Sequence, residues 1–585
     1  MLLRKRRWKT VFAALVLITL QNMCLWAQNN AKITGTVYDE TQIPMVGVPI
    51  TVKGSAEGTV TDINGNFEMT LSLSESTVLV CTYIGYNPKE VKLNGQNHLT
   101  ITMTPAINTL DDVVVIGYGT QKRLSITGAV GTVSYKDLAR TTATTTAATL
   151  AGKTPGITFR QTNGQPGQTM RMEIRNMGSP LFIIDGIMKD EGQFNNLDIN
   201  DIENISILKD GSAAIYGVKA ANGVVLVTTK RGSLNEKPTI KINAYYGIQN
   251  WTRFPKMSDA YNYSNAYAEA SLTTTGENRT GLTHDNLAKY ATGYYNPDTG
   301  EDYRSFDWYD FVVNKNAPQK YLNVSSQGGS EKLNYYFSIS KIDQSANFYD
   351  FNFNRTNFQA NMDAQISKQL KTGISMNGRL ENRLSPSVGD NYNNDFWNLR
   401  WGLNRNKPTE RPYANDNPDY LNATTNIINN QAYARRDIIG TGDDRWRVFQ
   451  GNWNIEWTSP LKGLKAAFLY SYYAANLQID RRKLETPFYH YDYMTQTYSE
   501  TSGLTTKSLQ KRQATIWENM YRFSLQYENK FGNHNLNAIV VAEATERFDR
   551  ALTMYNGEIS DNFQTLFPNS SDNSITEDYL NEYPS

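Results

Sequence analysis

The chain has 585 residues, and its 58 Lys and Arg against 57 Asp and Glu give a formal net charge of only +1. This balance offers no electrostatic case for nucleic acid as a partner, and the length predicts several domains. The chain is only 39% hydrophobic but contains 36 tyrosines. A sequence that is polar on average and rich in aromatic residues is typical of a sheet with alternating faces.

Residues 1–27 predict a secretory signal peptide. A cationic start, MLLRKRRWKT, precedes the apolar run VFAALVLITL, and Ala27 provides a small residue at the expected cleavage site. The apolar run is too short for a bilayer-spanning helix, which needs about 20 residues. Cleavage leaves Cys81 as the single cysteine of the mature chain, so no intramolecular disulfide is possible.

Residues 31–105 predict a small β-sandwich, because seven short strand-like segments alternate there with Pro, Gly and Asn. Within it, the segment DINGN at 62–66 resembles the start of a calcium loop. The sixth position of such a loop requires Gly and the twelfth Glu, whereas this chain has Phe67 and Leu73. A tight hairpin turn therefore explains the segment better.

Two glycine-containing motifs superficially suggest a nucleotide site. The stretch DDVVVIGYGT at 111–120 lacks the third glycine of a dinucleotide fingerprint, where Lys122 stands, and a β-branched segment follows instead of a helix. The stretch AATLAGKT at 147–154 resembles a Walker A loop, but Pro155 and Gly156 would interrupt the required helix. A strand and a short helix are the predicted structures.

Residues 123–232 mix predicted strands and helices. Asp210 or Ser212 is positioned to cap a helical segment over SAAIYGVKAA. Asn222 and Gly223 then predict a turn into the strand 224–229, VVLVTT, which is apolar enough to be buried on both faces.

From about residue 238 the pattern changes to long strands in which apolar and polar residues alternate. In FQANMDAQI at 358–366 every even position is apolar, and TGISMNGRL at 372–380 repeats the pattern after a short turn. Alternation alone also suits a soluble antiparallel sheet. Runs of about nine to eleven residues with ends rich in Trp and Tyr favour a transmembrane β-barrel.

The sequence singles out no catalytic constellation. The four histidines are scattered without zinc-ligand spacing, and neither GxSxG nor HExxH occurs. We therefore predict no enzyme activity, no catalytic or metal-binding residue and no cofactor.

The order of these segments resembles the SusC/RagA family of TonB-dependent outer-membrane transporters, and the resemblance extends over essentially the whole chain. The most specific stretches are DDVVVIGYGTQKR, LAGKTPGITFRQTNGQPG, PLFIIDGI and DIENISILKDGSAAIYGVKAANGVVLVTTKRG. The predicted fold is mainly β, with an N-terminal β-sandwich, an α/β plug domain and an incomplete antiparallel transmembrane β-barrel. The implied domains are a signal peptide at 1–27, a non-catalytic carboxypeptidase-regulatory-like sandwich at 31–105, a linker with a TonB box at 106–122, a plug at 123–232 and a partial barrel at 233–585.

The resemblance places a TonB box in the linker. Such a segment pairs as an added strand with TonB, the partner that couples it to ExbB and ExbD, and the consecutive valines favour that extended state. The alternative that VVVI is the last strand of the sandwich or the first of the plug stays open. The predicted box comprises Asp111, Asp112, Val113, Val114, Val115, Ile116, Gly117, Tyr118 and Gly119.

The resemblance also implies import of oligosaccharides or similar large nutrients, peptides among them, with a SusD-like surface lipoprotein as lid. Candidate substrate residues are Asn163 and Gln165 on a plug loop and Trp397, Arg400 and Trp401 on a barrel loop. A barrel girdle in contact with outer-membrane lipid explains most other Trp and Tyr residues. The alternatives are a receptor for siderophores or cobalamin, and a secreted adhesion or scaffold protein that does not transport.

The number of predicted strands is small for this family. Nine or ten candidates are present after residue 233, whereas outer-membrane transporters of this type have about 22 strands. We expect an N-terminal part of a longer transporter, directed to the outer membrane of a Gram-negative bacterium. A product with an open sheet edge is expected to stay in the periplasm, because unpaired backbone groups are costly in lipid.

Overall fold

The computed structural model describes residues 30–584, apart from 41, 56, 73–76, 84–85, 94, 105–112, 117–118, 123–129, 210–212, 215, 254–255, 389–394, 427–428, 502, 504–506, 533 and 557–573. The chain forms two compact units, Met1–Ile126 and Thr127–Ser585. It is mainly β, as predicted. Among the helices of these described residues, none has the length and apolar character to cross a membrane.

The first unit contains the predicted β-sandwich. One sheet has the order β4-β1-β7 and the other the order β3-β2-β5-β6, and Ile33, Ile50, Leu79 and Cys81 are fully buried in its core. The strands are β1 (Asn30–Tyr38), β2 (Pro49–Val52), β3 (Gly58–Val60), β4 (Asn66–Ser72), β5 (Val78–Cys81), β6 (Lys89–Lys92) and β7 (His98–Thr102).

The turn at 62–66 connects the two sheets of the sandwich. The Asp62 carboxylate accepts hydrogen bonds of 2.8 Å from the backbone N–H groups of Asn64 and Asn66. A tight turn is thus confirmed, but the strands that it joins, β3 and β4, lie in different sheets. It is a crossing between layers and not a hairpin, because the chain must change sheets to close the sandwich.

Two further strands of the first unit, β8 (Val113–Ile116) and β9 (Gly119–Lys122), form a two-stranded antiparallel sheet of their own. Val113 pairs with Lys122, and Ile116 pairs with Gly119. The VVVI segment is therefore a strand, as its β-branched residues favour. It belongs neither to the sandwich sheets nor to the plug sheet in the part of the chain that is described.

The second unit begins with a five-stranded sheet of order β10-β15-β16-β13-β14, beside the separate hairpin β11-β12. Its hydrophobic core includes Phe182, Phe194, Ile205 and Val225. The elements are β10 (Val130–Ser134), α1 (Tyr135–Leu138), α2 (Thr146–Leu150), β11 (Ile157–Arg160), β12 (Arg171–Ile174), β13 (Leu181–Ile184), β14 (Ile187–Lys189), α3 (Glu191–Asn195), β15 (Ile202–Leu208) and β16 (Val224–Thr229).

Two local predictions for this sheet can be compared with the structure. Strand β16 is central and almost completely buried, as predicted for VVLVTT. The helix expected over SAAIYGVKAA is wrong, because the described residues of this segment form only short 3-10 turns such as Val218–Ala220. Gly217, with φ of 68°, interrupts the helical geometry just before that turn. The proposed caps, Asp210 and Ser212, lie outside the described residues.

A ten-stranded antiparallel sheet follows, in the order β17-β20-β21-β22-β23-β24-β25-β28-β29-β30, with helices and two small hairpins in the connections. Among the described residues β17 and β30 each have one neighbour, so the sheet is a partial barrel. The elements are β17 (Thr239–Gln249), α4 (Ala260–Thr275), α5 (His284–Thr292), β18 (Tyr295–Asn296), β19 (Glu301–Asp302), α6 (Trp308–Val312), β20 (Ala317–Gly329), β21 (Leu333–Ser345), β22 (Asn352–Gln365), β23 (Leu370–Pro386), α7 (Asp395–Leu403), β24 (Gly440–Thr458), β25 (Leu464–Lys483), β26 (Phe488–Asp492), β27 (Thr497–Thr501), β28 (Ser508–Phe531), β29 (His534–Asn556) and β30 (Ser574–Pro584).

The faces of this sheet are inverted relative to those of a soluble protein. On β22, Phe358 is 43% exposed while the adjacent Gln359 is 3% exposed, and on β23 Leu380 is 58% exposed while Glu381 is 8% exposed. Polar residues point toward the plug, and apolar residues point away from it. This arrangement distinguishes a transmembrane barrel from a soluble sheet with one wet face.

Candidate functional site

The plug is held against the polar face of the sheet by a buried pair of carboxylates. The Tyr321 hydroxyl donates to Asp198 at 2.7 Å, and the Tyr336 hydroxyl donates to Asp201 at 2.9 Å. The Ser338 hydroxyl also donates to Asp201. Burial, reinforced by the nearby charge of Asp198, raises the pKa of the Asp201 carboxyl well above its ordinary value.

Arginines tie the plug to the wall at further points. Charged donors form strong hydrogen bonds, and a guanidinium can satisfy backbone carbonyls that a loop leaves without partners. The contacts are Arg231 to Asp363 at 2.7 Å, Arg355 to Asn196 at 2.7 Å, Arg383 to the Gly167 carbonyl at 3.1 Å and Arg522 to the Gly186 carbonyl at 2.7 Å.

A cavity of about 650 Å³ lies between a plug loop and this wall. Its volume is in the range of small-molecule binding sites. The plug side offers amides, a hydroxyl and the Asp190 carboxylate, and the wall side offers charges and aromatic rings. Residues lining it include Thr162, Asn163, Gln168, Asp190 and Gln193 from the plug, and Arg379, Glu381, Arg383, Trp397, Trp446, Tyr473 and Arg547 from the sheet and its connections.

Gly167 lets the plug loop approach the wall closely. Its φ of 67° lies in the left-handed region, and a Cβ atom there would come within 2.2 Å of the Phe353 ring. Glycine is therefore the residue that permits both the turn and the contact. The close approach is what brings the Gly167 carbonyl within reach of Arg383.

The predicted aromatic barrel loop is in fact a helix, α7. Phe396 and Leu399 pack into a buried cluster, while Trp397 and Trp401 are 47% and 42% exposed. A spacing of four residues puts both indoles on one helix face. The Arg400 guanidinium lies 6.0 Å from the ring centre of Trp397, and that of Arg405 lies 3.7 Å from the ring of Trp401.

The structure brings together some of the residues that the sequence proposes for substrate binding. Asn163 and Trp397 line the same cavity. Gln165, Arg400 and Trp401 are not among its lining residues, and Gln165 instead contacts Asn163 through its backbone N–H. Of the proposed TonB box, Asp111, Asp112, Gly117 and Tyr118 lie outside the described residues, whereas Val113–Ile116 form β8 and Gly119 begins β9.

The charged wall residues were missed at the sequence level. Arg379, Glu381 and Arg383 are two residues apart in a period-two strand, so the segment GRLENR already implies that all three share one face. Asp198 and Asp201 gave no such signal, because Tyr336 is 135 residues from Asp201 along the chain.

Lys189, at the end of β14, adds a cation directly before Asp190, one of the residues that line the cavity. Its ammonium group lies 5.1 Å from the ring centre of Tyr473. Burial lowers the pKa of Lys189 to about 8, partly offset by Glu518 and Asp190. The cavity thus combines charged groups, amides and aromatic faces, which are suited to bind a polar ligand. No group of residues suited to hold a metal ion occurs in the described part of the chain.

Comparison with known proteins gives two domain matches. The TonB-dependent Receptor Plug Domain model matches residues 122–224, and the CarboxypepD_reg-like domain model matches residues 33–115. TonB-dependent receptor P26 of Formosa agariphila is 35% identical over 355 residues, or 59% of this chain and 34% of that protein. TonB-dependent receptor SusC of Bacteroides thetaiotaomicron is 29% identical over 422 residues, or 68% and 38% respectively.

A solved structure of the RagAB peptide importer in its open-open state has the same fold, with a TM-score of 0.62 over 80% of this chain and 53% of that one at 22% identity. The matched part of the chain spans 34% of the length of P26 and 38% of the length of SusC. A plug seated against an inside-polar sheet, together with these matches, supports a TonB-dependent receptor. With a carboxypeptidase-regulatory-like domain ahead of the plug and SusC among its relatives, the chain is similar to the SusC/RagA type.

Proposed function

We propose that this chain serves TonB-dependent import of oligosaccharides or similar large nutrients across the outer membrane of a Gram-negative bacterium. The observation that carries the proposal is the plug cavity, which combines polar plug groups with arginines and indoles of a wall whose other face is apolar and exposed. Such a wall suits lipid on one side and a hydrophilic passage on the other.

Energy coupling is assigned to residues 111–119, acting with the TonB-ExbB-ExbD complex. Strand β8 pairs only with β9 among the described residues, so one of its edges is available for an added strand. Four residues of pairing, at a net ~1 kcal/mol per hydrogen bond, give a contact of a few kcal/mol. A contact of this strength can form and release during each transport cycle.

A SusD-like surface lipoprotein is the proposed lid, by analogy with the SusC/RagA type. The RagAB neighbour is described as a peptide importer, so a peptide is the alternative cargo. Receptors for siderophores or cobalamin are a less supported alternative, because the preceding sandwich resembles a carboxypeptidase-regulatory-like domain.

The coupling proposal is tested by deleting residues 111–119 from the receptor in its host. We expect uptake of the nutrient to fall to background, while membrane insertion and ligand binding persist, because the segment is assigned to TonB and not to the cavity. Uptake is measured with labelled nutrient, and insertion by the heat-modifiable mobility of the barrel in purified outer membranes.

The same fractions separate the alternatives. Uptake at the undeleted rate would place the TonB box elsewhere in the chain. For a form with a closed barrel, recovery of the undeleted protein from the soluble periplasm, with no heat-modifiable form, would contradict the transporter and favour a secreted adhesion or scaffold protein.

A further inference from the structure

A cluster of arginines on the wall of the cavity carries more positive charge than its neighbours neutralise. On β23, Arg379 and Arg383 flank Glu381 at 3.6 and 3.8 Å. On β22, Arg355 stands directly opposite Glu381 in the strand register. Glu381 is the one acidic residue within ion-pair distance of Arg379 or Arg383 in the described part of the chain. Two guanidinium groups thus share a single carboxylate, and the third, that of Arg355, lies on the neighbouring strand and donates to Asn196 and to the Thr144 carbonyl.

The donors of this cluster are incompletely used by the protein. The Nε atoms of Arg355, Arg379 and Arg383 are buried and make no hydrogen bond with described protein atoms. Arg383 donates once, to the Gly167 carbonyl. Buried charged donors without acceptors are costly, and a guanidinium fork fits a carboxylate or a sulfate through two parallel hydrogen bonds. The cluster is therefore suited to an anionic group.

Aromatic rings border the same cavity. Trp397 and Trp446 line it together with Tyr473, and their flat apolar faces can pack against the apolar face of a sugar ring. The amides of Asn163 and Gln193 supply donors and acceptors for sugar hydroxyls. A volume of about 650 Å³ accommodates more than one ring.

The backbone of the wall argues against a peptide held on it by strand pairing. The wall strands β23, β24, β25 and β28 each have a neighbour on both sides. Capture of an extended peptide by β-augmentation needs an unpaired strand edge, and these strands present none to the cavity. Recognition by the wall therefore comes from side chains, which provide arginines and indoles.

We propose that the cavity binds an anionic oligosaccharide, with a carboxylate or sulfate on Arg379 and Arg383 and a sugar ring on Trp397 or Trp446. The proposal rests on the transport function proposed above and names the class of its cargo. It assigns the ligand to the plug-facing wall and not to the barrel exterior.

The test is calorimetric titration of the purified receptor in detergent with three probes: trigalacturonate, a sulfated galactan trisaccharide and neutral galactotriose. We expect at least one anionic probe to bind about tenfold more tightly than galactotriose, with the preference shrinking as salt is added. The carboxylate and sulfate probes distinguish the two possible anionic groups. The double variant R379Q/R383Q should lose the preference.

The matched control is R447Q, because Arg447 lies on the neighbouring strand opposite the outward Leu380 and should leave binding unchanged. A second variant, E381Q, should tighten binding of the anionic probe several-fold, since it removes the competing carboxylate. A gain of affinity cannot arise from misfolding.

Equal binding of neutral and anionic probes, or an unchanged preference in R379Q/R383Q, would overturn the proposal. Tighter binding of pentaglutamate than of both anionic sugars would also overturn it in favour of an acidic peptide. Uptake that depends on residues 111–119 alongside either of these results would retain the transporter and reject only the cargo. Recovery of a closed-barrel form of the protein from the soluble periplasm, with no uptake, would instead reject the transport function.

Discussion

Among the described acidic residues of the plug, Asp201 has the most strongly raised pKa, and its surroundings explain why. It is 3% exposed, accepts hydrogen bonds from Tyr336 and Ser338, and lies close to the charge of Asp198. Burial and the neighbouring carboxylate both oppose ionisation, whereas the two hydroxyls favour it only in part. The Asp201 carboxyl, which joins the plug to the wall, is therefore more stable there in its protonated form.

This preference predicts a pH-dependent stability. Because the folded-state pKa of Asp201 is raised, its contribution is fully present below the ordinary Asp pKa of about 3.9 and is lost as pH rises through the raised value. In D201N, whose amide oxygen can still accept from Tyr336, this loss should be absent. The melting temperature of wild type should therefore fall relative to D201N between about pH 4 and about pH 8.

The measurement is the temperature of the heat-induced mobility shift in detergent, followed over that pH range. E203Q is the control, since Glu203 is exposed on the adjoining strand β15. Parallel pH profiles for wild type and D201N would contradict the assignment of the titration to this carboxylate.

Residues of this kind mark the limit of prediction from sequence. The segment DIENISIL contains β15, but nothing local indicates that Asp201 meets a tyrosine 135 residues away. The Arg-Glu-Arg spacing on β23 could have been recognised, because period two alone places the three on one face. The sequence does not show that this is the inner face of the sheet, because only the contacts with the plug show it.

At the scale of elements, the alternation of residues after 238 predicted the strands well and their lengths poorly. Strand β28 has 24 residues and β25 has 20, well beyond the nine to eleven needed for the apolar layer. Their ends extend past the apolar layer, where apolar and polar residues no longer alternate strictly and the composition does not show where a strand stops.

Helix α7 was not predicted from the sequence. Phe396 and Leu399 favour it through tertiary packing, which overrides weak local propensity. The domain boundaries at 105, 122 and 232 stay predictions.

The link from β16 to β17 passes tightly against the wall at Gly232. A Cβ atom there would lie 2.3 Å from the Tyr335 carbonyl oxygen and 2.6 Å from that of Gly328, two residues paired between β20 and β21. Backbone atoms in a paired strand cannot move aside as a side chain can. G232A should therefore destabilise the receptor by ~1–3 kcal/mol, the usual cost of overpacking.

The matched control is G247A on β17, where an added Cβ would meet no atom within 4 Å. Chemical unfolding in detergent compares the two variants with wild type. A G232A receptor as stable as G247A would mean that the link can shift away from the wall.

At the scale of the whole molecule, the inverted faces of the sheet connect composition to function. In a chain with 36 tyrosines and 39% hydrophobic residues, apolar cores lie in the sandwich and the plug, and the barrel sheet does not need one on its inner face. Its polar inner face is satisfied in part by the plug, through Asp198, Asp201 and the arginines. Its apolar outer face remains exposed, and lipid is the environment that such a face matches.

The outer face supports a depth-dependent prediction. Phe358 is 43% exposed and pairs with Ile339 near the middle of β21, whereas Leu333 is 42% exposed and begins that strand. If the face lies in hydrocarbon, F358R should cost ~2–4 kcal/mol and L333R only ~0–1, because a charge near the strand end can reach the interface. The measurement is the free energy of unfolding of the receptor in phospholipid vesicles. In a soluble sheet, two equally exposed positions would tolerate arginine equally, so equal and small losses would place this face in water and remove the basis for a membrane-embedded importer.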